Sequence, residues 1–159
     1  MSRRGLQSPD PFDDALPGEE RRRRASCLAD ARLLLVEGDA AARRNTREVL
    51  MALGLHRVIE AEDGLAALTM LQNRHLDVIL AAQDSPGLSG LSLTRALRND
   101  SRLSTVPVLL MVSSASAVLV RQAAELGVNS VLVWPYKPSV LEQKLSEALG
   151  LPPQTEGTS

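Results

Sequence analysis

Apolar runs that fit short strands alternate along the chain with segments whose apolar residues recur at helical spacing. The predicted strands span residues 31–36, 57–61, 78–82, 107–112 and 130–133, and the helices that follow them span 39–53, 64–73, 91–98, 115–126 and 138–149. Several of these runs lack polar alternation, which is typical of strands covered on both faces. Five strand–helix repeats therefore predict an α/β fold with a parallel sheet between two helical layers.

Both ends of the chain depart from this pattern. Residues 1–30 show neither period, and they combine three prolines with an acidic patch and four consecutive arginines at residues 21–24. Such a composition buries too little apolar surface to fold alone. We therefore predict a disordered charged tail over residues 1–30, one folded domain over 31–149, and a second disordered tail over 150–159.

The overall composition excludes several classes of function. The chain has 159 residues, of which 44% are apolar and 23% charged, and its formal net charge of -1 argues against a nucleic-acid or anionic-membrane partner. One cysteine and two histidines are too few for a disulfide framework or a zinc site. No apolar run reaches the length of a membrane span, so we expect a cytoplasmic protein.

In an open parallel sheet, functional residues follow the carboxyl ends of the strands. The first strand is followed by EGD, not by a glycine-rich phosphate loop, which disfavours a dinucleotide-binding or P-loop enzyme. Asp39 and Asp63 stand where the first two helices begin, and we predict that their side chains cap these helices.

Five segments resemble, in chain order, the receiver domain of two-component response regulators. They are LLVEGD, EAEDGLAAL, DVILAAQDSPGLSG, VPVLLMV and the WPY that follows the fifth strand. The resemblance extends over residues 31–149 and implies the CheY-like, flavodoxin-like fold, a three-layer sandwich with strand order 2-1-3-4-5. It also implies a cis peptide bond between Trp134 and Pro135.

Receivers of this family hold Mg²⁺ with an acidic pair after the first strand and an aspartate that ends the third strand. That aspartate accepts a phosphoryl group from a histidine kinase, which is nucleophilic chemistry at a hard-cation site. In this chain the acidic pair falls on Glu37 and Gly38, and the phosphoacceptor position falls on Ala82. One carboxylate of the three remains, so Glu37 is only a weak candidate for a metal ligand and we expect no metal and no cofactor.

Two further positions of the family contact the phosphoryl group. The hydroxyl after the fourth strand falls on Val112, or on Ser113 if one residue is deleted, and the lysine before the proline falls on Trp134. The aromatic position of the fifth strand falls on Val131. The resemblance therefore implies a degenerate receiver. Two compatible interpretations of Trp134 follow: it fills volume over the end of the sheet, or it plugs the vacated phosphate pocket and helps a partner to dock.

Three functional hypotheses follow from these substitutions. The favoured one is a stand-alone, non-enzymatic signalling module of a two-component or phosphorelay-type pathway, which binds proteins without being phosphorylated. The second is an active receiver phosphorylated at a relocated acid, Asp84 or Glu37. The third is a cyclic-dinucleotide effector that uses the arginines at residues 21–24.

The family's common output surface, the fourth helix, fifth strand and fifth helix, is the expected place for a protein partner or a second copy of the chain. Helical spacing in the fourth helix predicts an inward stripe: Val120, Ala123, Ala124 and Gly127. Val118 and Leu119 then lie at least partly outside the core, and Tyr136 lies nearby. We predict a hydrophobic interface built on Val118, Leu119 and Tyr136.

Overall fold

The computed structural model describes residues 27–152. Five strands alternate with five helices, and a short 3-10 helix, Leu28–Asp30, precedes them. The strands are β1 Arg32–Val36, β2 Arg57–Ala61, β3 Val78–Ala82, β4 Val108–Val112 and β5 Ser130–Val133. The helices are α1 Ala40–Ala52, α2 Gly64–Leu71, α3 Gly90–Arg98, α4 Ala117–Glu125 and α5 Pro138–Leu149.

The strands form one parallel sheet in the order β2-β1-β3-β4-β5, as predicted. Strands β1, β3 and β4 are buried along their whole length, which explains why their sequences do not alternate. The two edge strands, β2 and β5, carry the exposed and half-buried positions.

Side chains of alternate strand residues enter two cores, one on each face of the sheet. Leu33 and Leu35 pack with residues of α1 and α5, whereas Leu34 and Val36 pack with residues of α2 and α3. A smaller cluster joins β4 to α3 and α4. This layering leaves the loops after the carboxyl ends of the strands together at one edge.

The predicted caps of the first two helices are confirmed. The carboxylate of Asp39 accepts a hydrogen bond from Ala42 N at 2.8 Å, and that of Asp63 accepts one from Ala66 N at 2.8 Å. Both bonds satisfy backbone donors that an α-helix leaves unpaired in its first turn.

The inward face predicted for α4 is largely wrong. Ala123 is buried, but Val120 is 45% exposed, and Ala124 and Gly127 are also exposed. The inward residues are instead Ala123 with Leu119 and Leu126, which pack on the cluster beside β4. Leu119 is thus half-buried in the core, and the true stripe is rotated by about one residue, or ~100°, from the predicted one.

The chain has ordered structure slightly before the predicted start of the domain. Leu28, which the sequence analysis counted with the N-terminal tail, is buried against the core beside α1 and α5. Tail residues 1–26, including the arginines at 21–24, lie outside the described residues, as do residues 153–159.

Candidate functional site

The loop after β1 carries Glu37, which is half-buried at the carboxyl edge of the sheet. Glu37 Oε2 accepts a hydrogen bond from Asp39 N at 3.1 Å. Arg43 holds the same loop: its Nη1 donates to the Glu37 carbonyl at 2.7 Å, while its Nε pairs with Glu60 at 3.2 Å. The backbone of the acidic position is therefore anchored to α1 and β2, a role of Arg43 that the sequence analysis missed.

Gly38 occupies the second acidic position, and the loop after β3 packs directly on it. A Cβ built at Gly38 would lie 2.9 Å from Pro86 Cδ and 3.3 Å from the Glu62 carbonyl oxygen. Any side chain at this position would require the ring of Pro86 to shift. The space beside Gly38 is thus occupied by the apolar ring of a proline.

Ala82, at the phosphoacceptor position, ends β3 and is 7% exposed. The next residue serves the following helix: Gln83 Oε1 accepts a hydrogen bond from Leu91 N at 2.9 Å, in the first turn of α3. Its backbone carbonyl accepts a bond from Gly90 N at 3.2 Å. These contacts hold the start of α3 against the end of β3, and no carboxylate stands at the strand end.

Val112 is the last residue of β4, with its side chain buried beside α3 and α4. Its carbonyl accepts a hydrogen bond from Trp134 N at 2.7 Å, and Ser113 follows it as an exposed residue. Val131, at the family's aromatic position, is half-buried against the same cluster as Val112. The gap-free alignment thus puts an apolar side chain at the hydroxyl position, and the nearest hydroxyl along the chain is one residue later.

Trp134 and Tyr136 form an aromatic pair after β5. Their ring centroids are 5.1 Å apart with an interplanar angle of 77°, an edge-to-face contact. The peptide bond between Trp134 and Pro135 is cis, as predicted. Trp134 remains 37% exposed.

Tyr136 links this aromatic pair to α1. Its hydroxyl donates to Oγ1 of the buried Thr46 at 3.0 Å. Burial raises the pKa of the Tyr136 phenol, the bond to Thr46 opposes that shift, and the nearby Glu37 carboxylate adds to it. The structure therefore brings Tyr136 and Glu37 close enough to interact electrostatically, which the sequence did not predict.

The donor set at this edge does not fit the magnesium ion of the family. Mg²⁺ requires near-octahedral oxygen coordination, and two of the three carboxylate positions hold Gly38 and Ala82. In residues 27–152 no group of three aspartate, glutamate, histidine or cysteine side chains is placed to hold a metal. Glu37 alone provides a single carboxylate.

Asp84 lies in the loop after β3 and is exposed. It stands two residues beyond Ala82, so its carboxylate is outside the strand end where the family's aspartate lies. The hydroxyl of the next residue, Ser85, is buried without a hydrogen-bond partner.

Exposed apolar side chains concentrate on α4 and at the end of β5. The exposed fractions are 58% for Val118, 45% for Val120, 45% for Val133 and 37% for Trp134. Of the three residues predicted for the interface, Val118 is exposed, whereas Leu119 and Tyr136 are half-buried against the core.

The five parallel strands in this order define a flavodoxin-like α/β protein with its functional edge at the carboxyl ends of the strands. The family model of the response regulator receiver domain matches residues 33–146, and the chain belongs to that family. It is a CheY-like signalling domain.

Curated relatives and solved structures agree with this assignment. The chain is 34% identical to the chemotaxis protein CheY of Pseudomonas aeruginosa over 116 residues, which are 73% of this chain and 94% of that protein. Vibrio cholerae CheY4 superposes with a TM-score of 0.70 and 27% identity, covering 75% of this chain and 98% of that one. The receiver domain of a sensor histidine kinase from Pseudomonas aeruginosa was solved with magnesium coordinated in its active-site cleft. It superposes with a TM-score of 0.69 and 27% identity, covering 76% of this chain and 98% of that one.

Among residues 27–152, no helix is both long and apolar enough to cross a membrane.

Proposed function

We propose that this receiver domain is a non-enzymatic signalling module that binds a protein partner without being phosphorylated. The observation that carries the proposal is Ala82, a methyl group at the strand end where the family has the aspartate that accepts the phosphoryl group. A methyl group cannot act as a nucleophile, so the chemistry of the family lacks its acceptor.

The surroundings of Ala82 support the same conclusion. Trp134 stands at the lysine position and contributes no positive charge for a transferring phosphoryl group. Pro86 lies where a carboxylate at residue 38 would need space. Three independent parts of the reaction centre are thus replaced by apolar groups.

The exposed apolar strip at β5 is the surface that we assign to the partner. Parallel strands are joined by right-handed crossovers, and this handedness determines which side of α4 faces the edge strand β5. Successive residues of an α-helix are about 100° apart, which places Val120 on that side. Val118 lies on the opposite side of the helix, toward α3. We therefore define the strip by Val120, Val133 and Trp134, which replaces the interface predicted from the sequence.

Treatment with acetyl phosphate and Mg²⁺, followed by intact-mass spectrometry, tests the absence of phosphorylation. We expect no acid-labile gain of about 80 Da, the mass that a phosphoryl group adds. A receiver domain with an intact acceptor aspartate serves as the positive control. An acid-labile adduct that disappears in Asp84→Asn or in Glu37→Gln would overturn the proposal and establish a relocated acceptor.

The variant Ala82→Asp sharpens the same experiment. It restores the acceptor carboxylate but leaves Gly38 and Trp134 unchanged, so we expect it to remain unphosphorylated. Phosphorylation of this variant would show that the metal pair and the lysine are dispensable here.

A further inference from the structure

The opposite edge of the sheet, where the strands begin, contains a buried arginine without an anionic partner. Arg32, the first residue of β1, is only 8% exposed, and its Nε is buried without a hydrogen-bond partner. Other arginines in the part of the chain that the structure describes do have partners. Arg43 and Arg47 form ion pairs with Glu60, and Arg74 also has an interaction. Of this guanidinium, Nε is the nitrogen that is buried without a partner, and such an unpaired donor has a free-energy cost that an acceptor such as an oxyanion would relieve.

A second arginine lies beside the first. Arg32 and Arg57 are register partners on the parallel strands β1 and β2, so their side chains leave the same face of the sheet on strands about 4.8 Å apart. Arg57 is exposed. The planar donor sets of guanidinium groups suit an oxyanion.

The nearest carboxylates already have other partners. Asp77 Oδ2 accepts a hydrogen bond from the backbone N of Arg32 at 2.8 Å, and its Oδ1 lies 3.6 Å from His75 Nε2. Asp30, two residues before Arg32, accepts a hydrogen bond from Cys27 Sγ at 3.5 Å and has a further interaction. His75 Nε2 is buried beside this Asp77 carboxylate and makes no hydrogen bond.

We propose that Arg32 and Arg57 form an oxyanion site at the amino-terminal edge of the sheet, with His75 at its border. The ligand is an oxyanion, supplied either as free phosphate or as a carboxylate of the acidic residues at positions 10–20 of this chain. The site is remote from Ala82 and independent of the function proposed above.

Calorimetric titration of the full chain with inorganic phosphate, at constant ionic strength, tests the site. We expect saturable binding that weakens at least tenfold in Arg57→Met and in Arg32→Met, with Arg44→Met on the exposed face of α1 as the matched control. Because Arg57 is exposed, its variant should fold normally, so lost binding cannot be attributed to unfolding. Unchanged binding in both site variants, or equal weakening in Arg44→Met, would overturn the proposal.

A second arm distinguishes the two sources of the anion. Converting Asp10, Asp13, Asp14, Glu19 and Glu20 to their amides removes the internal carboxylates but keeps the full chain. If these carboxylates occupy the site, phosphate binds the amide variant at least tenfold more tightly than the original chain; if free phosphate is the ligand, the two affinities agree. Failure of both chains to bind phosphate would contradict the proposal.

Discussion

At the scale of single residues, both apolar and polar contacts fix the side chains at the carboxyl edge of the sheet. Tyr136 is the clearest case, because one ring contacts Trp134 edge-on while its hydroxyl bonds to Thr46 in α1. The sequence placed Tyr136 in the partner interface, but the side chain is half-buried and joins the loop after β5 to α1. Its main role in this structure is thus to connect two elements.

We expect Tyr136→Phe to lower the free energy of unfolding by about 0.5–1.5 kcal/mol near neutral pH, because the ring remains and the bond to Thr46 is lost. The pKa of the phenol is raised in the folded state. The hydroxyl's contribution is therefore fully present below the unfolded pKa of about 10, and it is lost as the pH rises through the folded pKa.

Urea unfolding of both chains at neutral pH and above pH about 10 measures this difference. The difference in free energy of unfolding between the original chain and Tyr136→Phe should be smaller in the alkaline series. A difference that stays constant or grows would show that the pKa of the phenol is not raised in the folded state relative to the unfolded state.

At the scale of elements, the end of α4 is held by contacts that no local pattern reveals. Arg98, at the end of α3, donates to the carbonyls of Leu126 at 3.0 Å, Gly127 at 2.9 Å and Val106 at 2.9 Å. The bonds to Leu126 and Gly127 satisfy carbonyls at the end of α4 and join that helix to α3, and the bond to Val106 joins α3 to the segment before β4. Burial lowers the pKa of the guanidinium without removing its charge in the physiological range.

We expect Arg98→Met to lower the free energy of unfolding by about 1–3 kcal/mol, since the stem is kept and three carbonyls lose a charged donor. Arg121→Met, on the exposed side of α4, is the matched control and should change it by less than about 0.5 kcal/mol. Thermal and urea unfolding measure both values. Equal effects of the two changes would show that Arg98 does not hold α4.

At the scale of the whole molecule, the sequence predicted what depends on local pattern. Strands β2, β3 and β5 and helix α5 begin and end where predicted, because apolar runs and turn residues bound them on both sides. The rotation of α4 was missed because AVLV places apolar residues on every side of the helix, so spacing could not identify the buried one. Likewise, Pro86 packing on Gly38 joins loops far apart in sequence, and only the fold brings them together.

The position of α4 determines which residues can reach a partner, and it leads to the last prediction. The double change Val120→Asp, Val133→Asp puts two charges on exposed positions of the strip, so partner capture from the source cell should be lost while the melting temperature changes by only a few degrees. Leu65→Asp is the control, because Leu65 is 61% exposed on α2, away from the strip. Leu119→Asp should instead destabilise the domain, since that side chain packs on the core. If the double variant retains every partner that the original chain captures, or if Leu65→Asp loses the same partners, the strip at β5 is not the binding surface.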